Sequence, residues 1–158
     1  MQLTPLIDLQ SISYAYPGQS GESTASALAL DDVTLQVQQG EYLVLLGHNG
    51  SGKSTLARHC NALLIPDSGR ALIAGQDSAE QANWRAIRET VGMIFQNPDN
   101  QIIATVVEDD VAWALTVRGL PAQEIEERVN RAMQAVGISH LRGLPPNKLS
   151  GGQRHRLA

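Results

Sequence analysis

The stretch "YLVLLGHNGSGKST", residues 42–55, constrains this chain more than any other. Residues 42–46 form a continuous apolar run, which reads as a strand buried on both faces, as in a parallel sheet. Gly47, Gly52, Lys53 and Ser54 then fit the spacing G-x-x-x-x-G-K-[ST], and from Ser54 the pattern becomes helical. Glycines let the backbone fold into a nest whose N–H groups converge on an anion. The helix start adds unpaired N–H groups and the positive end of its dipole. Lys53 supplies a flexible point charge for the β- and γ-phosphates, Ser54 a hard hydroxyl ligand for Mg²⁺, and Thr55 support for the cradle. A glycine turn with an incidental lysine would need neither the strand before it nor the helix after it. Nucleotide phosphate is therefore expected at residues 47–55, with Asn49, Gly50 and Ser51 inside the loop.

The rest of the chain divides into two parts. "VTLQV" (33–37) alternates as a half-exposed strand, "ALIAG" (71–75) and "VGMIF" (91–95) are short β-rich runs, and Trp84 to Arg88 reads as helix. "PGQSGESTAS" (17–26) is a loop by composition. Leu56, Ala57, Cys60, Leu63 and Leu64 share one face of the helix after the loop, which "IPDSG" (65–69) stops. Beyond Gln96 the pattern is mostly helical. One helix covers residues 106–117 and ends at Gly119. A second starts at Pro121, carries Ile125, Val129, Ala132 and Val136 on one face, and stops at Gly137. Glu124 with Arg128, and Glu127 with Arg131, are i,i+4 pairs in the favourable order. The organisation expected is an α/β part over 1–96 and a helical part over 97–158.

Bulk properties bound the function. A length of 158 residues suits roughly one domain of ~100–200 residues. A net charge of −4 without a basic cluster disfavours nucleic acid as a partner. Glu108, Asp109 and Asp110 are expected on a solvated helix face. The single cysteine, Cys60, excludes an intramolecular disulfide and reads as a small buried hydrophobe. The N-terminus lacks a signal-peptide pattern and no apolar run approaches the ~18–20 residues that cross a bilayer. A cytosolic chain is expected, with any membrane role exercised through partners.

Kinases, GTPases, helicases and transport ATPases all use such a loop. "NKLS" (147–150) offers half of a guanine-reading N-K-x-D, but Ser150 replaces the aspartate, which argues against a GTPase. Gln96 in "FQNPDNQ", together with "LSGGQ" at 149–153, decides the class. With these motifs in this order, the chain resembles the ATP-binding-cassette (ABC) transporter ATPases over essentially its whole length. "FQNPDNQIIATVVEDDVAW" and "AYPG" (15–18) look most like the ATPases of energy-coupling factor (ECF) importers, the cobalt/nickel-type group included; "AWALTVRG" departs from the usual Phe-Gly-rich continuation.

The resemblance implies an α/β P-loop NTPase core with an antiparallel β part and a helical subdomain, ending after the signature motif. It implies ATP and Mg²⁺ as cofactors, Gln96 as a γ-phosphate and metal sensor beside Ser54, and Tyr16 as an aromatic stacking on adenine, with Tyr14 as the alternative. It also implies head-to-tail pairing with a second ABC ATPase subunit, identical or different. Ser150, Gly151, Gly152 and Gln153 would then touch ATP held by that partner. Ser150 can cap the final helix, leaving glycine N–H groups beside it. A transmembrane coupling subunit and a substrate-binding membrane subunit complete the assembly at the cytoplasmic face of the membrane, taking up a vitamin or a transition-metal ion. The family's Asp-Glu pair and switch histidine have no counterpart in these residues, and His48, His59, His140 and His155 all precede the switch position. Weak ATP binding without appreciable hydrolysis is expected of the 158 residues alone, with exposed apolar surface. The rival readings are an ATPase of another transporter subgroup, a non-hydrolysing nucleotide-binding fragment, and a DNA-repair or chromosome-structure ATPase. The last is disfavoured because no coiled coil separates Gln96 from Leu149.

Overall fold

Strand β1 (Ile7–Tyr14) has the sequence IDLQSISY, in which Ile7 and Leu9 alternate and Ile12 and Tyr14 resume one residue out of phase. Strict alternation would send Ile12 and Tyr14 to the opposite face. The computed structural model, which describes residues 4–17 and 28–158, resolves this with bulges. The pairing of β1 with β2 (Leu30–Val37) shifts between Leu9 and Ile12 and again before Tyr14. Ser11 adopts a left-handed φ of 48° and donates its N–H to Thr34 Oγ1 at 3.0 Å. The extra residue restores the face, so Leu9, Ile12 and Tyr14 are buried together.

β3 (Ser68–Ile73) pairs antiparallel with the other edge of β1, and the short β4 (Gln76–Asp77) pairs with β3. The sheet order is β2-β1-β3-β4. Leu56 of α1 (Lys53–His59) and Ile87 of α2 (Trp84–Thr90) close the core over Leu9, Ile12, Ala71 and Ile73. Each large apolar side chain so buried contributes ~1.5–3 kcal/mol. The expected loop at 17–26 lies, apart from Pro17, outside the described residues.

Two of the expected strands are absent from this sheet. Residues 42–46 and 91–95 belong to none of the described strands. Tyr42 and Leu46 are 91% and 89% exposed, and Ile94 is 66% exposed, so the runs are not buried on both faces. A doubly buried strand needs a ladder partner and a layer on each face. The described sheet is antiparallel throughout and provides neither. Near its end the second run is held by a side chain: Phe95 N–H donates to Gln101 Oε1 at 2.8 Å.

Helix α1 is also shorter than its apolar period suggests. Ala62 takes a left-handed φ of 54°, its N–H bonds to His59 O, and Leu63 N–H reaches back to Arg58 O. That is a Schellman-type stop, usually built on glycine. It turns Leu63 outward to 42% exposure, while Leu64 and Cys60 still pack against the core.

The chain forms two compact units, Met1–Met93 and Ile94–Ala158, where the sequence reading divides it at 96 and 97. The second unit is helical: α3 (Val107–Val117), α4 (Ala122–Ala135) and α5 (Gly151–Leu157). Its core joins Val107, Val129, Met133, Ile138, Leu141 and Leu149. The buried stripe of α4 is therefore Ile125, Val129 and Met133, a four-residue step. Ala132 and Val136 are exposed, which corrects the expected face. Glu124 pairs with Arg128 at 2.6 Å as expected, whereas Glu127 accepts from Gln123.

The acidic start of α3 is not merely solvated. Arg142 grips Glu108 with two bonds, Nε at 2.6 Å and Nη2 at 2.7 Å, holding that carboxyl below its usual range. Asp110 Oδ1 accepts from the N–H groups of Ile103 and Ala104. The unpaired N–H groups of Val107 and Glu108 bond to the carbonyls of Leu144 and Arg142. No described helix is long and apolar enough to cross a membrane.

Candidate functional site

The loop at 47–52 leads into α1 through Gly52, at φ 86°. A Cβ there would lie 2.6 Å from the carbonyl oxygen of Ala29, so both the backbone conformation and the close approach to β2 require glycine. No side chain caps this helix start. The first helical bond runs from Leu56 N–H to Gly52 O at 2.8 Å, so Lys53, Ser54 and Thr55 present N–H groups without a helical acceptor.

Lys53 folds back over the loop. Its Nζ donates to the carbonyls of Gly47 (2.8 Å) and His48 (2.7 Å) and to Ser51 Oγ (3.2 Å). Gly47 is packed so closely that a Cβ would meet Ser51 Oγ at 2.6 Å. Residues 47–50 are exposed, as is Ser54, whose hydroxyl makes no hydrogen bond among the described residues. The loop thus carries one lysine, no acidic residue and three N–H groups free of helical bonds, which fits a phosphate. The free Ser54 hydroxyl fits a hard cation accompanying it. No described cluster of three His, Cys, Asp or Glu could hold a metal ion, so a cation here would rely on oxygens of the nucleotide itself.

Tyr16 joins this group. Its hydroxyl lies 3.1 Å from Thr55 Oγ1 and accepts from Arg58 Nη1 at 3.1 Å. Tyr14, the alternative aromatic, is buried in the core, edge-on to Tyr16 at 5.1 Å and to His59 at 5.0 Å. Burial first, then the neighbouring Tyr16 and Asp67, raise its phenol above the ordinary range. A ring so enclosed has no face to offer a ligand, whereas Tyr16 is half-buried. His59 is fully buried and its Nδ1 bonds to the Thr55 carbonyl at 2.8 Å, so that nitrogen carries the proton. Burial holds this imidazole below its ordinary value. Burial pushes the Cys60 thiol up to about 11, so it stays protonated, and Cys60 packs against the core partly rather than fully buried.

The remaining expected site residues belong to the second unit. Gln96 is exposed there. Ser150 caps α5 in a reciprocal capping box: its Oγ accepts from Gln153 N–H at 3.3 Å, and Gln153 Oε1 accepts from Ser150 N–H at 2.8 Å. Gly151 and Gly152 are exposed, and a Cβ on either would meet nothing within 4 Å. Arg154 of α5 pairs with Asp99 at 2.9 Å and donates to Leu149 O at 2.7 Å, tying the segment after Gln96 to the helix. A cleft of ≈ 330 Å³ is lined by Asp99, Ile102, Pro146, Asn147 and Arg154. Its cation is committed to Asp99 and Leu149, so the cleft offers an anion no free charge.

The sequence reading assigned no role to Arg58, His59 or the Asp99 and Arg154 pair. Arg58 lies three residues after Thr55 on α1, and nothing in the sequence marks that spacing as a hydrogen-bond relay. The reciprocal cap was legible in the S-x-x-Q spacing of 150–153.

Residues 30–158 match the family described as ABC transporter. Proteins named energy-coupling factor transporter ATP-binding protein EcfA1 are similar to this chain. The one from Symbiobacterium thermophilum is 54% identical over 155 residues, covering 98% of this chain and 54% of the relative. The one from Bacillus subtilis is 44% identical over 158 residues, covering 100% and 54%. The chain therefore spans about half the length of the curated relatives it matches. Among solved structures, cbiO1 from Clostridium perfringens, described as part of the ABC transporter complex cbiONQ, aligns with a TM-score of 0.83 at 33% identity. That alignment covers 97% of this chain and 59% of the other. The ATP-binding cassette MJ0796, solved as a dimer in a post-hydrolysis state bound to ADP and Pi, aligns with a TM-score of 0.81 at 25% identity, covering 96% and 66%.

Proposed function

This chain belongs to the ABC transporter family, and on that footing we propose that it is the ATP-binding part of an ECF-type importer ATPase. ATP binding and hydrolysis would drive uptake of a vitamin or a transition-metal ion in the whole assembly. The observation that carries the nucleotide site is the uncapped start of α1, where three N–H groups, the Lys53 ammonium and the free Ser54 hydroxyl meet on one exposed loop. Lys53 exchanges its carbonyl partners for phosphate oxygens, the N–H groups of 53–55 donate to the same anion, and Tyr16 faces the base. Mg²⁺, when bound with the nucleotide, neutralises phosphate charge as a Lewis acid, and Ser54 is the residue that would hold it, with Gln96 as the second ligand the resemblance offers.

The names of the relatives and neighbours support a second ATPase subunit and membrane subunits as partners. We assign Ser150, Gly151, Gly152 and Gln153 to the nucleotide of the partner ATPase, and the working location to the cytoplasmic face of the membrane. Lys53, Ser54 and Gln96 can bind and stabilise charge, but none of them is a base for the attacking water. These residues alone are therefore expected to bind Mg-ATP without appreciable turnover.

Titration of the folded chain with Mg-ATP, beside Lys53→Ala, tests the site. Loss of a charge-assisted contact of ~1.5–3 kcal/mol corresponds to roughly 10–100-fold weaker binding. Unchanged affinity in Lys53→Ala would remove the assignment. Lys53-dependent steady-state phosphate release would contradict the expected lack of turnover.

A further inference from the structure

Arg58, Tyr16 and Thr55 form a short chain of polar groups against the phosphate loop, and the charge at one end favours one direction along it. A guanidinium only donates, so Arg58 Nη1 gives its proton to the Tyr16 oxygen at 3.1 Å. The phenol, polarised by that cation, needs an acceptor for its own proton, and Thr55 Oγ1 lies at 3.1 Å. Either hydroxyl could donate across that distance, and the guanidinium favours the order in which Tyr16 donates and Thr55 accepts, keeping its own hydroxyl proton.

The other helical threonines show how such a proton is ordinarily spent. Thr90 and Thr116 donate to the carbonyls four residues back, at 2.9 and 3.0 Å. Thr55 makes no such bond among the described residues, although it is only 6% exposed. Its backbone N–H lies among the three without a helical acceptor. With Tyr16 as the donor, its proton is unspent in the first turn of α1.

Building on the assignment of phosphate to residues 47–55, we propose that Arg58 is a positioning residue. It fixes the proton order Arg58 to Tyr16 to Thr55, so that the Thr55 hydroxyl hydrogen is reserved for a nucleotide phosphate oxygen. Without the guanidinium the two hydroxyls can reverse, and Thr55 then turns a lone pair toward the anion. The same bond anchors the Tyr16 ring, whose edge rests against Tyr14. The relay therefore links the base end of the site to its phosphate end.

The test is a double-mutant cycle read by equilibrium titration of the full chain with Mg-ATP and with Mg-tripolyphosphate, which has no base. Arg58→Met is expected to weaken both ligands about three- to tenfold, the range of one hydrogen bond. Arg58→Lys, which retains a donor, restores most of the affinity. In a Thr55→Val background Arg58→Met has no further effect, because the proton it orders is gone. Tyr16→Phe keeps the ring and deletes the oxygen that could take the Thr55 proton. In that background Arg58→Met, or Arg58→Leu should Arg58→Met not fold, leaves tripolyphosphate affinity unchanged, and a further loss there overturns the relay. Additive effects of Arg58→Met and Thr55→Val overturn the relay, as does a loss confined to ATP. Lys53→Ala separates the two levels: abolished binding with an additive cycle sinks the relay alone, while unchanged binding of both ligands in Lys53→Ala sinks the phosphate site and the relay with it.

Discussion

Two glycine-rich stretches each open a seven-residue helix, and they are finished in opposite ways. At α1 the residue before the helix is Gly52, with no side chain to cap the turn, and the free N–H groups of 53–55 are left beside the Lys53 ammonium. At α5 that residue is Ser150, and its hydroxyl and the Gln153 amide satisfy each other's backbone N–H groups. Gly52 is also wedged against the Ala29 carbonyl, whereas Gly151 and Gly152 stand in open space. The α1 start is sterically fixed and leaves the N–H groups of 53–55 without a helical acceptor. The α5 start is sterically free, and its cap takes up the third N–H, leaving those of Gly151 and Gly152. That difference matches the roles assigned here. Ser150 Oγ accepts from Gln153 N–H, and its own hydroxyl hydrogen remains available to a phosphate.

Alanine scanning of the glycines should break this symmetry most sharply. Gly52→Ala places a Cβ 2.6 Å from Ala29 O on a left-handed backbone, and a cost of ~1–3 kcal/mol is expected. Denaturant midpoints followed by amide exchange in each unit would show it, confined to the first unit. An unperturbed first unit would mean that the wedge is not real. Ser150→Ala should cost about 1 kcal/mol in the second unit through loss of the cap. No change there would argue that the box does not hold the helix start.

The first unit also carries a pH signature from a histidine, where the second unit has the shifted carboxyl of Glu108. The unfolded imidazole titrates near ~6.5, and burial holds the folded His59 below that. Between the two values the unfolded chain binds more protons, so stability rises with pH. The contribution is complete above ~6.5 and is lost as pH falls through the folded value. Replacing His59 by Gln, which keeps a donor for the Thr55 carbonyl, should flatten urea midpoints of the first unit between pH 8 and pH 5. Identical pH slopes in both proteins would remove His59 as the cause. The smallest effect belongs to Gly152→Ala, whose side chain meets nothing: a gain of about 0.5 kcal/mol or less is expected, from the helix preference of alanine. A marked loss there would show that α5 needs a glycine it does not visibly use.

Much of this was legible because it is local. The G-x-x-x-x-G-K-S spacing, the Ser150 cap and the ends of α3 at Gly119 and α4 at Gly137 rest on short-range rules that a sequence displays. What misled was non-local or geometric. The apolar run at 42–46 has the composition of a doubly buried strand, yet burial depends on partners that the described sheet does not supply. The bulge at Ser11 breaks the alternation in β1, and only pairing on both edges shows that the face is restored. Ala62 in a left-handed stop gives no warning in sequence, because that position is normally glycine. In α4, Met133 rather than Ala132 completes the buried stripe, a choice made by the cluster around Ile138 and Leu141. At the site, Lys53 and Ser54 were readable from spacing, while Arg58 became visible only through its distance to Tyr16.

Residue-resolved amide exchange of the full chain, with and without Mg-ATP and with no second ATPase subunit present, tests the central contrast most directly. The account predicts slowed exchange at Lys53, Ser54 and Thr55, and unchanged exchange at Gly151, Gly152 and Gln153. Protection of the α5 start with none at the α1 start would contradict it, because the nucleotide would then be held by the capped helix rather than the open one.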